Sequence, residues 1–256
     1  MSDGFLDFAV GDNDDNVGKK SKKFSLEDGR TYRVSFAWLS VPVKNAEGTT
    51  VGWDDAAAWK GGKLHPDAQV RFTGCERIYK EGVGYFLYKG PAYAQFGQPK
   101  QYVATVLVVW PTDKEGDLDK AAFAAGKGWT VQPWIFSTDK YASIKKSHKR
   151  SPLTKCDMAI ECPTGGAQYQ KANFIAETEN YLMKLSVSEK PEFKAVFERI
   201  LADVRAVSEN IHREMARDLT IDQIREALGD SVETATGSAA GSHASKNVDD
   251  LLDNIL

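Results

Sequence analysis

A chain of 256 residues, 42% hydrophobic and 27% charged, can bury the core of one large domain or two small ones, which excludes a wholly disordered protein. The net charge of −3 argues against a uniformly basic binder of nucleic acid, but residues 1–18 carry five aspartates and no base, and residues 229–256 carry five acids against Lys246 alone, leaving a body of +6; local sign governs attraction to phosphate. Cys75, Cys156 and Cys162 have no framework spacing and no run approaches the ~20 apolar residues of a membrane helix, so a soluble, cytoplasmic protein without membrane contact is expected.

Residues 1–23 read as a mobile arm, with an apolar cluster at Phe5, Leu6 and Phe8 and a basic one at Lys19, Lys20, Lys22 and Lys23. From Arg30 to about Leu185 the signals are mostly of strands. Tyr32, Val34, Phe36 and Trp38 alternate with Thr31, Arg33, Ser35 and Ala37, the period of a half-buried strand. Val43–Gly52 and Gly61–Asp67 look like loops. Asp54–Lys60 and Leu118–Ala125 have helical composition and end at glycine, with Asp54 and Asp55 marking a helix start. Further strands are expected from Val70, over Val83–Tyr88, over Gln101–Trp110 as a central strand, and over Trp129–Phe136, weakened by Pro133. Cys156, Met158, Ile160 and Cys162 share one strand face; Pro163–Gly166 then turns the chain and Tyr169–Ile175 returns it as a hairpin.

The last quarter changes period. Phe193, Phe197, Ile200, Val204, Val207, Ile211 and Met215 repeat at spacings of four and three, predicting a long helix from about Pro191 to Asp218 whose apolar face packs on the β-rich body or on a second copy. Thr220 with Gln223 makes a capping box for a short helix to Leu228, ended by Gly229. A small-residue linker then leads to the tip NVDDLLDNIL. The expected class is α+β: an antiparallel, β-rich body over 24–188, a helical segment over 189–228, and a flexible linker with an acidic-hydrophobic tip over 229–256.

Two stretches carry binding chemistry. Lys140–Lys155 holds six bases, His148 and no acid, with serines and Tyr141 interleaved. Cations among small hydrogen-bonding neighbours suit phosphate, which selects Lys140, Tyr141, Lys145, Lys146, His148, Lys149, Arg150 and Lys155. Single strands also need flat side chains for stacking. Tyr88, Tyr93, Phe96 and Tyr102, with Lys89 and Lys100 among them, are the candidates, although any one aromatic of a β domain is more often core. Cys156 and Cys162 read as buried thiols. No Walker loop, G-x-S-x-G, H-E-x-x-H or dinucleotide fingerprint occurs, so neither metal, cofactor nor catalysis is expected. In the tip, Asp249, Asp250, Leu251, Leu252, Asp253, Ile255 and Leu256 are too few to form a core; they suit docking on a partner or on a basic surface of the same chain.

The basic run KYASIKKSHKRSPL, the hairpin CDMAIECPTGGAQYQKANF and the tip DDLLDNIL together resemble the single-stranded-DNA-binding proteins of bacteriophages, and are similar to those that bring a phage RNA polymerase to single-stranded DNA. The resemblance covers about a third of the chain. It implies a non-enzymatic, largely sequence-independent binder of single-stranded DNA in replication, recombination or transcription in a host cytoplasm. The tip would recruit a polymerase or another replication or transcription protein, and copies would associate along the strand. An oligonucleotide-binding barrel and a distinct β-rich fold both fit the body. The chain ends Asn254-Ile255-Leu256 where bacterial relatives of this class end in Pro-Phe, and the long helix exceeds a minimal barrel. Rival readings are a transcription cofactor, a metal-dependent nuclease and a virion component.

Overall fold

Strand β1 (Thr31–Phe36) shows the predicted alternation as far as Phe36, with Tyr32, Val34 and Phe36 buried on one face of the sheet and Arg33 and Ser35 on the other; the strand ends there, and Trp38, expected on the Tyr32 face, joins Ala37 in the other core cluster. It belongs to a computed structural model that describes residues 22–113, 116–169 and 171–229. After β1 the chain leaves the sheet as an arm. This consists of β2 (Leu39–Lys44), β3 (Thr50–Asp54), a 3-10 turn at Ala56–Ala58, the two-residue strands β4 (Trp59–Lys60) and β5 (Lys63–Leu64), and β6 (Gln69–Val70). β3, β2 and β6 pair as a small antiparallel sheet. The chain returns as β7 (Thr73–Lys80) and β8 (Gly84–Leu87), makes a 3-10 segment at Pro91–Phe96, and then runs through β9 (Lys100–Trp110).

β9 organises the main sheet. One of its edges pairs along its length with β10 (Thr130–Ser137). Its other edge is shared end to end, β1 taking Leu107–Trp110 and β7 taking Lys100–Ala104. The arm is therefore looped out between two collinear strands, closed at its base by the backbone bond from Arg71 N–H to the Trp38 carbonyl (2.7 Å). Beyond β1 lie β11 (Met158–Glu161) and β12 (Asn173–Ala176), the expected hairpin. Phe174 of β12 packs on Trp134 of β10 (ring centroids 6.0 Å apart), so the sheet curls until its two ends meet around Tyr32, Val34, Phe36, Leu107, Met158 and Ile160. Pro133 is accommodated because β10 is an edge strand; its carbonyl points outward and accepts the Phe24 N–H at 2.9 Å, so no donor is missed on that side.

Helices cover both faces. α1 (Lys120–Ala124) is short; α2 (Thr138–Arg150) follows β10 without a break; α3 (Tyr181–Ser186) precedes α4 (Pro191–Met215) and α5 (Ile221–Ala227). The apolar stripe of α4 lies on its own chain's sheet, where Phe197, Ile200, Val204, Ile211 and Met215 join Ala104, Val106 and Val108 in one core. α5 begins with the predicted capping box, the Thr220 side chain and the Gln223 side chain each serving the other's backbone N–H. Three local readings are corrected. Val43–Gly52 is the turn of the β2–β3 hairpin, with Gly48 at φ 81°. Asp54–Lys60 is the end of β3, one 3-10 turn and a strand residue pair; Asp55 stands at the start of that turn, and the Asp54 side chain accepts the Ala57 N–H at 3.0 Å. Tyr181–Ser186 is helix within a stretch that reads as strand.

A buried polar knot joins the sheet to α3. Asp157 is wholly buried. It accepts the Ser35 hydroxyl and the Tyr181 N–H (3.1 Å), faces the Arg33 guanidinium at 3.6 Å, and Trp110 Nε1 donates to Ser35 at 2.8 Å. Burial pushes the Asp157 carboxyl up to about 7 against the pull of these partners. Cys156 and Cys162 are buried free thiols, and Cys75, half-buried, is pushed up to about 11 by burial.

Candidate functional site

The basic run folds as α2. Within it Tyr141, Ile144, Lys145 and His148 recur at the spacing of one helix face, which turns inward, while Lys146, Lys149 and Arg150 stay exposed on the other. Asp139 in the first turn and His148, Lys149 and Arg150 in the last suit the helix dipole. Tyr141 does not present a ring for stacking: it is buried, edge-on to Phe72 at 5.0 Å. Lys145 Nζ lies 5.5 Å from that ring. His148 Nδ1 accepts the Leu153 N–H (3.0 Å), which leaves Nε2 as the protonated donor of a neutral ring. Burial, and then the charge of Lys145, lowers the affinity of His148 for a second proton.

Facing this helix is the arm. Between them runs a groove of about 720 Å³. The β2–β3 hairpin forms one wall and α2 the other; Val70, Arg71 and Phe72 line it between them. Pro42 and Lys44, two apart on β2, both line the groove, as strand alternation requires. The Arg71 guanidinium lies 4.2 Å over the Trp53 ring and 5.7 Å from that of Trp38, and the Arg71 carbonyl accepts the Thr105 hydroxyl at 2.8 Å. Lys44, Arg71, Lys145 and His148 thus converge with Trp53 and Phe72, and among the described residues no acidic side chain lines the groove. Among the described residues no carboxylate pairs with Lys44 or Lys145. Such a surface can take an anion and a flat ring together.

Of the residues selected from sequence, the groove collects Tyr141, Lys145 and His148 only. Lys140 is half-buried away from it, its ammonium disfavoured by burial; Lys155 is exposed beyond α2. The aromatic stretch goes elsewhere. Tyr93 and Phe96 are not exposed platforms but core, packed with Ile78, Phe86, Leu219 and Ile224, and the Tyr93 hydroxyl donates to the Leu219 carbonyl at 3.1 Å. Tyr88 is half-buried against the same cluster and Lys89 is paired with Asp218. Tyr102 is half-buried beneath Arg77, and Lys100 is exposed near it. Lys23 of the N-terminal basic cluster is paired with Glu214 at 3.4 Å. Phe5, Leu6, Phe8, Lys19, Lys20 and the tip residues Asp249, Asp250, Leu251, Leu252, Asp253, Ile255 and Leu256 lie outside the described residues.

Sequence reasoning missed Lys44, Trp53 and Arg71. The signal was present in Val41 and Val43 against Val51 and Trp53, two alternating pairs flanking Asn45–Gly48, a hairpin pattern with a glycine suited to positive φ. Among the described residues no group of three or more His, Cys, Asp or Glu side chains could hold a metal, and no helix is long and apolar enough to cross a membrane. Comparison of the chain with protein-family models, with curated proteins and with solved structures gives no match.

Proposed function

We propose that the groove between the arm and α2 binds single-stranded DNA with little regard to sequence. The observation that carries this reading is the convergence of Lys44, Arg71, Lys145 and His148 on Trp53 and Phe72 along one groove. Phosphates need cations, and unpaired bases gain ~1–3 kcal/mol each by stacking on aromatic faces. A duplex keeps its bases stacked on one another and cannot use Trp53, so the groove favours a single strand. His148 contributes a neutral Nε2–H donor, which serves a phosphate or a base edge equally.

The connectivity supports the same reading. β1, β9, β10, β11 and β12, with α2 between the third and fourth, follow the five-strand order of an oligonucleotide-binding barrel, in which the loop joining the first two strands borders the ligand. Here the arm is part of that loop. The acidic tip from Val248 to Leu256 recruits a replication or transcription partner and, without DNA, competes for the same cations, in the manner of the phage proteins the sequence resembles. Whether that partner is an RNA polymerase is settled by co-purification from cells expressing the tagged full chain.

The direct test is fluorescence anisotropy with a labelled ~30-nucleotide strand, competed by duplex and by RNA of the same sequence. Micromolar or tighter binding that prefers the single strand and is weakened by Lys145→Gln supports the groove. Equal competition by duplex, or binding indifferent to groove substitutions, would sink the proposal.

A further inference from the structure

Tyr79 and Tyr85 are exposed, 54% and 41%, and among the side chains described they are the only aromatics so open to solvent. They are cross-strand partners on β7 and β8 with ring centroids 5.0 Å apart. Behind them the buried Arg77 guanidinium sits 3.9 Å from the Tyr85 ring and 3.7 Å from Tyr102, and its Nη1 donates to the Met215 carbonyl at 2.5 Å. The arginine therefore fixes the pitch of Tyr85 and Tyr102 and lends the stack a positive charge. Lys100 is the cross-strand partner of Arg77, so it stands on the same face, exposed, beside Tyr102. The exposed large aliphatics Val43, Val51, Ile175 and Val187 all lie on other elements. An apolar protein partner would have little to grip here, whereas unstacked bases with a phosphate backbone would find pre-set rings and a cation.

We propose that Tyr79, Tyr85 and Lys100, braced by Arg77 and Tyr102, form a second binding site, which stacks bases of the same strand that occupies the groove; the inference rests on the single-strand reading of that groove. Phe72 in the groove and Tyr79 are both reached along the β7 segment, about 23 Å apart at ~3.3 Å per strand residue. Their side chains point to opposite faces of the sheet, so the path for a bound strand is longer still. A strand of a few nucleotides occupies one site; a strand of tens occupies both.

The test uses the full chain with labelled dT5 and dT30. Tyr79→Ala with Tyr85→Ala weakens dT30 at least tenfold and leaves dT5 within twofold; Tyr79→Phe with Tyr85→Phe, which keep the rings, bind as the parent does. Because Tyr85 packs on Arg77, Tyr79→Ala alone and the mapping of crosslinks from iodouridine-substituted dT30 to Tyr79 or Tyr85 provide readouts that do not depend on the double variant folding. Equal weakening at both lengths, no weakening of dT30, or crosslinks that avoid both tyrosines overturns the second site. Trp53→Ala, run alongside, reports on the groove by itself: if it weakens neither oligonucleotide, the groove reading has failed whatever the tyrosines do.

Discussion

Replacing Lys44 and Lys145 by glutamine removes two of the cationic side chains that face each other across the groove while keeping side chains of similar length. On single strands the logarithm of affinity falls with the logarithm of salt by about 0.7 per phosphate neutralised. The double variant therefore has a salt slope shallower by about 1.4, and the gap between parent and variant narrows about sevenfold from 50 to 200 mM salt. The control is Lys146→Gln with Lys149→Gln: the same change in net charge, from the helix that carries Lys145, on the face turned away from the groove. Anisotropy titrations of a ~30-nucleotide strand at four salt concentrations measure all three slopes. The control pair should move the slope much less, since exposed charges act through screened long-range attraction. If the outer pair flattens the slope as much as the groove pair, phosphate is being read by the whole basic run and the groove assignment is wrong.

Trp53→Ala removes the groove's only half-exposed indole and should weaken single-strand binding by ~1–3 kcal/mol, with Trp53→Phe retaining most of the affinity; competition titration separates the two, and an alanine variant that binds like the parent counts against stacking there. Deleting residues 247–256 should tighten DNA binding or leave it unchanged, and weaker binding by the truncated chain would contradict a tip that competes for the groove. Ile200→Ala leaves a cavity under α4 at a fully buried position and should cost about 2–5 kcal/mol in urea unfolding, while the folded variant keeps the parent's affinity for DNA. With the Asp157 carboxyl raised to about 7 by burial, the folded protein holds a proton that the unfolded chain releases near pH 4, so this group's stabilisation is full below about pH 4 and is lost as pH rises to about 7. Asp157→Asn should flatten that fall in urea midpoints, and parallel pH profiles for the two proteins would show that Asp157 does not titrate in this range.

What could be read from sequence was what local pattern determines. The continuous apolar run of β9, the four-three spacing of α4, the capping box of α5 and the turn at Pro163–Gly166 each carry their own signature, and each is found in place. The basic run was legible as chemistry but not as geometry. Its lysines mask the Tyr141–Ile144–Lys145–His148 face, so which cations turn inward depends on Phe72, more than sixty residues away in sequence. The aromatics of residues 88–102 failed for a related reason. Tyr93 and Phe96 are core because the chain returns to cover them with Leu219 and with Ile224 of α5, and composition alone does not reveal a cover that arrives more than 120 residues later.

The same long-range packing explains why the groove lies where it does. In a barrel of the proposed type, the outward face of the second and third strands is an expected ligand surface. On β9 and β10 the middle of that face offers Ala104, Val106, Val108, Val131 and Ile135, aliphatic side chains between Tyr102 and Trp110, and the cluster also holds Phe197, Ile200 and Val204 of α4, which cover it. Opening it would expose a continuous apolar seam to water at a cost of ~25 cal/mol for each Å². The helix is thus part of the core rather than a lid. A ligand carrying phosphates and bases is left with surfaces where cations and rings coincide, and the arm creates one by leaving the sheet between β1 and β7 and setting Trp53 and Arg71 opposite α2.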